Sequence, residues 1–183
     1  MSTYDLIIRG GIVVSHAGEG AGDIGVRGGK IAAIGDLAQA SAGETFDAKG
    51  LHVLPGVIDT QVHLREPGNE HKEDLETGTH AAALGGVTAV FEMPNTAPPT
   101  TSAEALADKL ARARGRAHVD HAFYVGATHE NADQLGDLER LPGCCGVKTF
   151  MGSSTGTLLV GDDDGLDNVL RNIRRRGAFH AED

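Results

Sequence analysis

The chain has 183 residues, 40% hydrophobic and 23% charged, with a formal charge of −10. That balance belongs to a folded globular chain rather than a disordered one. An acidic chain without a basic cluster is a poor nucleic-acid or anionic-membrane binder, and no apolar run approaches the ~20 residues a membrane-spanning helix needs. The N-terminus, MSTYDLIIRGG, has no basic segment followed by an apolar one, so it does not read as a signal peptide.

Residues 1–55 read as a small β-domain. DLIIRGGIVV carries two apolar runs about a Gly-Gly pair, and GDIGVRGGKIAAIG alternates and turns at Gly28-Gly29. ETFDAKGLHVLPG closes the segment. Turn glycines between short apolar runs predict an antiparallel unit.

From residue 56 the pattern changes to strands alternating with helices. The strand candidates are GVIDTQVHL, VTAVFEM, HAFYVGA, GVKTFMG and GAFHAED. The helix candidates are HKEDLETGTHAAALGG, TTSAEALADKLARARG, NADQLGDLERLPG and GLDNVLRNIRRRG. The second opens with Thr101-x-x-Glu104, a capping box, and places Leu106, Leu110 and Ala113 on one face. The fourth spaces Leu166, Val169, Leu170 and Ile173 as one apolar stripe, followed by the run Arg174–Arg176 where cations complement a helix dipole. Such alternation implies parallel strands with crossover helices, as an open doubly wound sheet or a closed barrel. Polar residues end several successive strands, as around the mouth of a (β/α)8 TIM barrel, and no dinucleotide-binding glycine motif follows a strand. Residues 56–183 hold about five βα units, so the chain reads as the N-terminal part of a longer protein.

Five strand-end residues and two neighbours could carry chemistry. Asp59, Gln61, His63 and Arg65 are spaced by two, which in a strand puts acid, amide, imidazole and guanidinium on one face. A single histidine such as His63 is ordinary; its neighbours give it weight. Lys148 lies in the apolar run GVKTFM and must find a partner, reach solvent or lose its proton, and the bare sequence favours the route to solvent. A neutral amine there would react with carbon dioxide to give an anionic oxygen ligand. His180 ends the last strand, where it is either a zinc-type ligand oriented by Glu182 and Asp183 or a strand-end histidine with no ligand. Asn95 follows a strand and Pro94, where it either starts a turn or offers its amide to a substrate. The adjacent Cys144 and Cys145 read as reduced thiols of a cytoplasmic protein, since neighbours rarely make a good disulfide.

The strings LPGVIDTQVHLREPG, GGVTAVFEMPNT, GVKTFMGSSTGTLLV and AFHAED occur together and in order. With them the sequence resembles the cyclic-amidohydrolase branch of the amidohydrolase superfamily, dihydroorotases in particular. The resemblance implies a (β/α)8 barrel of the metal-dependent hydrolase type beside a small β-domain, holding one or two divalent metals, usually zinc. It implies that His63, Lys148 (carboxylated) and His180 are metal ligands, that Gln61 stands where the family has its first metal histidine, and that Arg65 and Asn95 hold the substrate. It implies interconversion of dihydroorotate and N-carbamoyl-aspartate in pyrimidine biosynthesis with a small-molecule substrate; a homo-oligomer is expected, and aspartate transcarbamoylase is the example of a partner if the chain is a structural homologue. Arg65 in HLREPG is the residue that sets this expectation apart from hydantoinase- or allantoinase-type cyclic amidases, the alternative reading. A second alternative is a catalytically silent homologue acting as a structural partner, suggested by Gln61.

Overall fold

A computed structural model describes residues 3–152 and 158–181. The chain divides into two compact units, residues 1–55 and 56–183. Glu182 and Asp183 lie outside the described residues.

The first unit is a five-stranded sheet of β1 (Tyr4–Ser15), β2 (Gly18–Arg27), β3 (Lys30–Gly35), β4 (Ala42–Asp47) and β5 (His52–Val53). Its order is β3-β2-β1-β4, with β5 also on β1. The β2–β3 turn is Gly28-Gly29, both at positive φ, as a two-residue hairpin requires. The expected all-antiparallel unit is corrected, because β4 and β5 pair with β1 in parallel. Gly10-Gly11 is no turn either. β1 runs straight through it, with the register to β2 shifting between Ile8 and Gly11 and Gly10 at φ 70°. A glycine at positive φ inside a strand marks a bulge, and this one lets a single 12-residue strand serve partners on both sides.

The second unit is a five-stranded parallel sheet: β6 (Val57–Val62), β7 (Val87–Glu92), β8 (Asp120–Gly126), β9 (Cys144–Phe150) and β10 (Gly177–His180). Spatial order follows chain order, β10-β9-β8-β7-β6. The connections carry α1 (Leu75–Leu84), α2 (Ala103–Ala113), a 3₁₀ turn at Ala132–Gln134 leading into α3 (Leu135–Leu138), and α4 (Asp163–Asn172). One apolar cluster joins Leu64, Leu75, Val90, Leu106, Phe123 and Val125 between sheet and helices, and a second joins Ala127, Leu135, Val147, Val160 and Val169. Alternate strand residues therefore point away from the helices, toward the face where Lys148 lies. Among the described residues no helix is long and apolar enough to cross a membrane.

Three details depart from the sequence reading. The N-cap of α2 is Ser102, extended at φ −139°, whose hydroxyl accepts from the Ala105 amide, so the cap sits one residue after Thr101. On α4 Val169 is buried, whereas Leu170 is 51% exposed, since the helix packs on a narrower stripe. The basic run follows α4 rather than ending it: the amides of Arg174 and Arg175 donate to the buried carboxylate of Glu139 at 2.7 and 3.0 Å.

Candidate active site

The site forms at the C-terminal ends of β6, β7, β9 and β10. β6 ends at Val62 because the Asp59 carboxylate accepts from the Gln61 amide at 3.0 Å and the register with β7 slips between Asp59 and Val62. Such a local side-chain bond competes with the strand ladder. His63 then follows the strand, and Arg65 adopts a left-handed backbone at φ 61°, rare for a residue with a side chain and frequent at functional sites. The expected single face of Asp59, Gln61, His63 and Arg65 is therefore corrected. Two-residue alternation stops before His63, and Gln61 is exposed.

Asn95 lies within hydrogen-bonding reach of His63, and the charges of Arg65 and Lys148 act on the same imidazole. His63 is half-buried, and its pKa is lowered, first by loss of solvent and then by the Arg65 charge, with Lys148 and Lys109 adding to the effect. The Asn95 amide beside it opposes the shift. Asn95 Oδ1 is buried, and among the described residues no hydrogen bond of good geometry reaches it. β6 and β9 are three strand positions apart, about 14 Å on a flat sheet at the usual spacing. That the Lys148 charge is felt at His63 fits a sheet that curls so that its strand ends face one another.

Lys148 is buried at 3% exposure, which corrects the expectation that it reaches solvent. Burial alone lowers its pKa, and among the described residues no carboxylate pairs with it. Its Nζ sits 5.1 Å from the Phe150 ring centre. The same ring lies 5.8 Å from that of His180. Ala178 and His180 are the register partners of Lys148 and Phe150, so these four residues share one face. Among the described residues no three His, Cys, Asp or Glu side chains are grouped closely enough to hold a metal ion.

Burial lowers the pKa of both His63 and Lys148, a shift toward the neutral forms that ligate a divalent cation. Neither cysteine competes for this role. Burial raises both thiols, Cys145 to about 12, so neither is a ready thiolate.

Sequence reasoning missed the buried acids below the site. Glu92, at the end of β7, is paired with Lys109 of α2 at 2.9 Å, and Glu66 is paired with Arg116 at 2.8 Å. The available signal was Lys109 itself, a charge set between Leu106, Leu110 and Ala113 on the face of α2 that packs inward.

A family model described as dihydro-orotase-like matches residues 50–156. The chain is 47% identical over 190 residues to an allantoinase of Rubrobacter xylanophilus and 41% identical over 185 residues to an allantoinase of Deinococcus radiodurans. These alignments cover 100% and 98% of this chain and 41% of each relative. Among solved structures, L-hydantoinase (dihydropyrimidinase) from Arthrobacter aurescens superimposes with a TM-score of 0.91 at 33% identity, covering 98% of this chain and 41% of that one. The chain thus spans about two-fifths of the length of the curated relatives it matches. The narrower expectation of a dihydroorotase is not supported, since these relatives bear the names of the alternative reading. The curled parallel sheet with its N-terminal β-unit is the architecture of the corresponding part of a hydantoinase, and the chain belongs to the dihydro-orotase-like family of cyclic amidohydrolases.

Proposed function

We propose that this chain forms the N-terminal part of a metal-dependent cyclic amidase of the allantoinase and hydantoinase type, built on a (β/α)8 barrel of which β6 to β10 are the first five strands. The observation that supports the reading is the setting of His63 just past β6, where the Asn95 amide and the Arg65 and Lys148 charges act on it and its pKa is lowered. The identity to allantoinases supports a five-membered cyclic ureide over dihydroorotate as substrate.

In this reading His63, His180 and Lys148 hold the divalent ion, with zinc the first candidate. A bound divalent ion supplies Lewis-acid polarisation and lowers the pKa of water toward neutrality. Lys148 would join carbon dioxide at Nζ, releasing one proton, and so present an anionic oxygen where an ammonium would repel the cation. Gln61 would offer only a neutral amide oxygen, a weaker donor to a divalent ion than imidazole. Arg65 donates to ring oxygens and to the carboxylate that ring opening produces, with the planar geometry suited to both. The Asn95 amide lies beside His63 and orients the ring against the metal ligands.

The test is turnover by the complete polypeptide that contains this chain, with allantoin, hydantoin and dihydroorotate compared and metal content measured. Opening of a five-membered ureide, dependent on a bound divalent ion, is expected. Exclusive use of dihydroorotate would restore the pyrimidine reading, and metal-free protein without turnover on any ring would favour a structural partner.

A further inference from the structure

Helix α2 and the turn after it carry three cations in a row, Lys109, Arg112 and Arg116, at spacings of three and four. Each meets an acid buried beneath a loop of the candidate site. Lys109 Nζ donates to Glu92 Oε2 at 2.9 Å and to the Met93 carbonyl at 3.2 Å, with both charged side chains 1% exposed. Arg116 Nη1 donates to Glu66 Oε1 at 2.8 Å, and Arg112 Nη1 lies 3.8 Å from the same oxygen. Glu66 Oε2 accepts from the Leu75 amide at 3.1 Å, where α1 begins.

Glu66 directly follows Arg65, and Met93 stands two residues before Asn95. The loops are also joined to each other, since the Ala97 amide donates to the Pro67 carbonyl at 2.9 Å. An apolar pair at 92 and 109 would fasten the helix to the sheet equally well, because desolvating two charges is costly. What an apolar pair lacks is direction, a hydrogen bond aimed at one carbonyl.

We propose that α2 is the positioning element of the site: Lys109, through Glu92 and the Met93 carbonyl, sets the loop that carries Asn95, and Arg116 with Arg112, through Glu66, sets the turn that carries Arg65. Lys109, Glu92, Glu66 and Arg116 are positioning residues that act through Asn95 and Arg65. The assignment rests on the proposed function for its catalytic readout and on loop order for its structural one.

The test uses the complete polypeptide with Glu92→Leu and Lys109→Met combined, which keeps the volume apolar and avoids stranding one charge. The double variant is expected to fold with an unfolding midpoint at or above that of the parent. The amides of Thr96 and Thr100, both bonded to the Pro94 carbonyl, should exchange with solvent about tenfold faster. KM for the ring substrate should rise about tenfold, while kcat and bound metal stay within about twofold, the signature of lost ground-state positioning. Parental exchange and parental KM in the folded double variant would overturn the proposal. If the parent opens no cyclic amide, the proposed function fails, and exchange at Thr96 and Thr100 still decides whether the pair orders the loop.

Discussion

The Met93 amide donates to the Val62 carbonyl at 2.9 Å, so the backbone just before His63 is pinned to the backbone two residues before Asn95. Two loops from successive strands thereby share one frame. Arg65 and Asn95 inherit their positions from it, which is why changes at these residues should separate binding from metal retention.

Arg65→Met in the complete polypeptide is expected to raise KM for the ring substrate roughly 10–100-fold, the scale of a lost charge-assisted bond in a partly buried site. Metal content should not change. Loss of metal together with KM would mean that Arg65 holds the site together instead of the substrate.

Lys148→Ala should reduce bound metal and lower kcat/KM by at least the roughly 10–100-fold cost of losing an outer partner of a metal site. Metal analysis of purified parent and variant checks this, and equal content would remove Lys148 from the ligand set. Gln61→His, which restores an imidazole donor, should slow metal loss to a chelator. An unchanged rate would show that residue 61 faces away from the ion.

Gly68→Ala should be among the most damaging small changes. Gly68 adopts φ 100°, and a Cβ there would lie 2.4 Å from the Ala97 carbonyl oxygen, in the place where the two loops meet. Strain of this kind costs about 1–3 kcal/mol. Equilibrium unfolding in denaturant would show the loss, and KM should rise with it.

Asp74 caps α1, accepting from the Thr77 amide at 2.7 Å, and that bond holds its carboxyl below the ordinary aspartate value of 3.8. A depressed folded pKa stabilises the protein above the unfolded value, and the contribution is lost as pH falls through the folded one. Asp74→Asn keeps a capping side chain but removes the titration, so its stability should fall less steeply below pH 3.8 than that of the parent. Asp74→Ala should cost about 1 kcal/mol near neutrality. Urea midpoints across that acid range check both.

The strands and helices of residues 56–181 were legible because their apolar periods change cleanly and turn residues punctuate them. The bulge at Gly10-Gly11 was not, since a glycine pair looks the same in a hairpin and in a continuous strand, and only the partner strand decides. Parallel pairing of β4 and β5 with β1 is likewise a tertiary outcome. At the site, His63, Arg65, Asn95 and Lys148 were identified through resemblance, while their approach depends on curvature that no local pattern encodes. Glu92 and Lys109 were not singled out, because within its own element each is an ordinary charged residue. Only the docking of α2 on β7 joins them.

β6 forms one border of the second sheet, and Val57 and Ile58 there are 54% and 55% exposed. Branched apolar side chains on a sheet edge that pairs with no further strand among the described residues invite another extended chain to add itself. Preparations restricted to these residues should therefore precipitate as concentration rises, and a lysine at position 58 should delay the onset of light scattering.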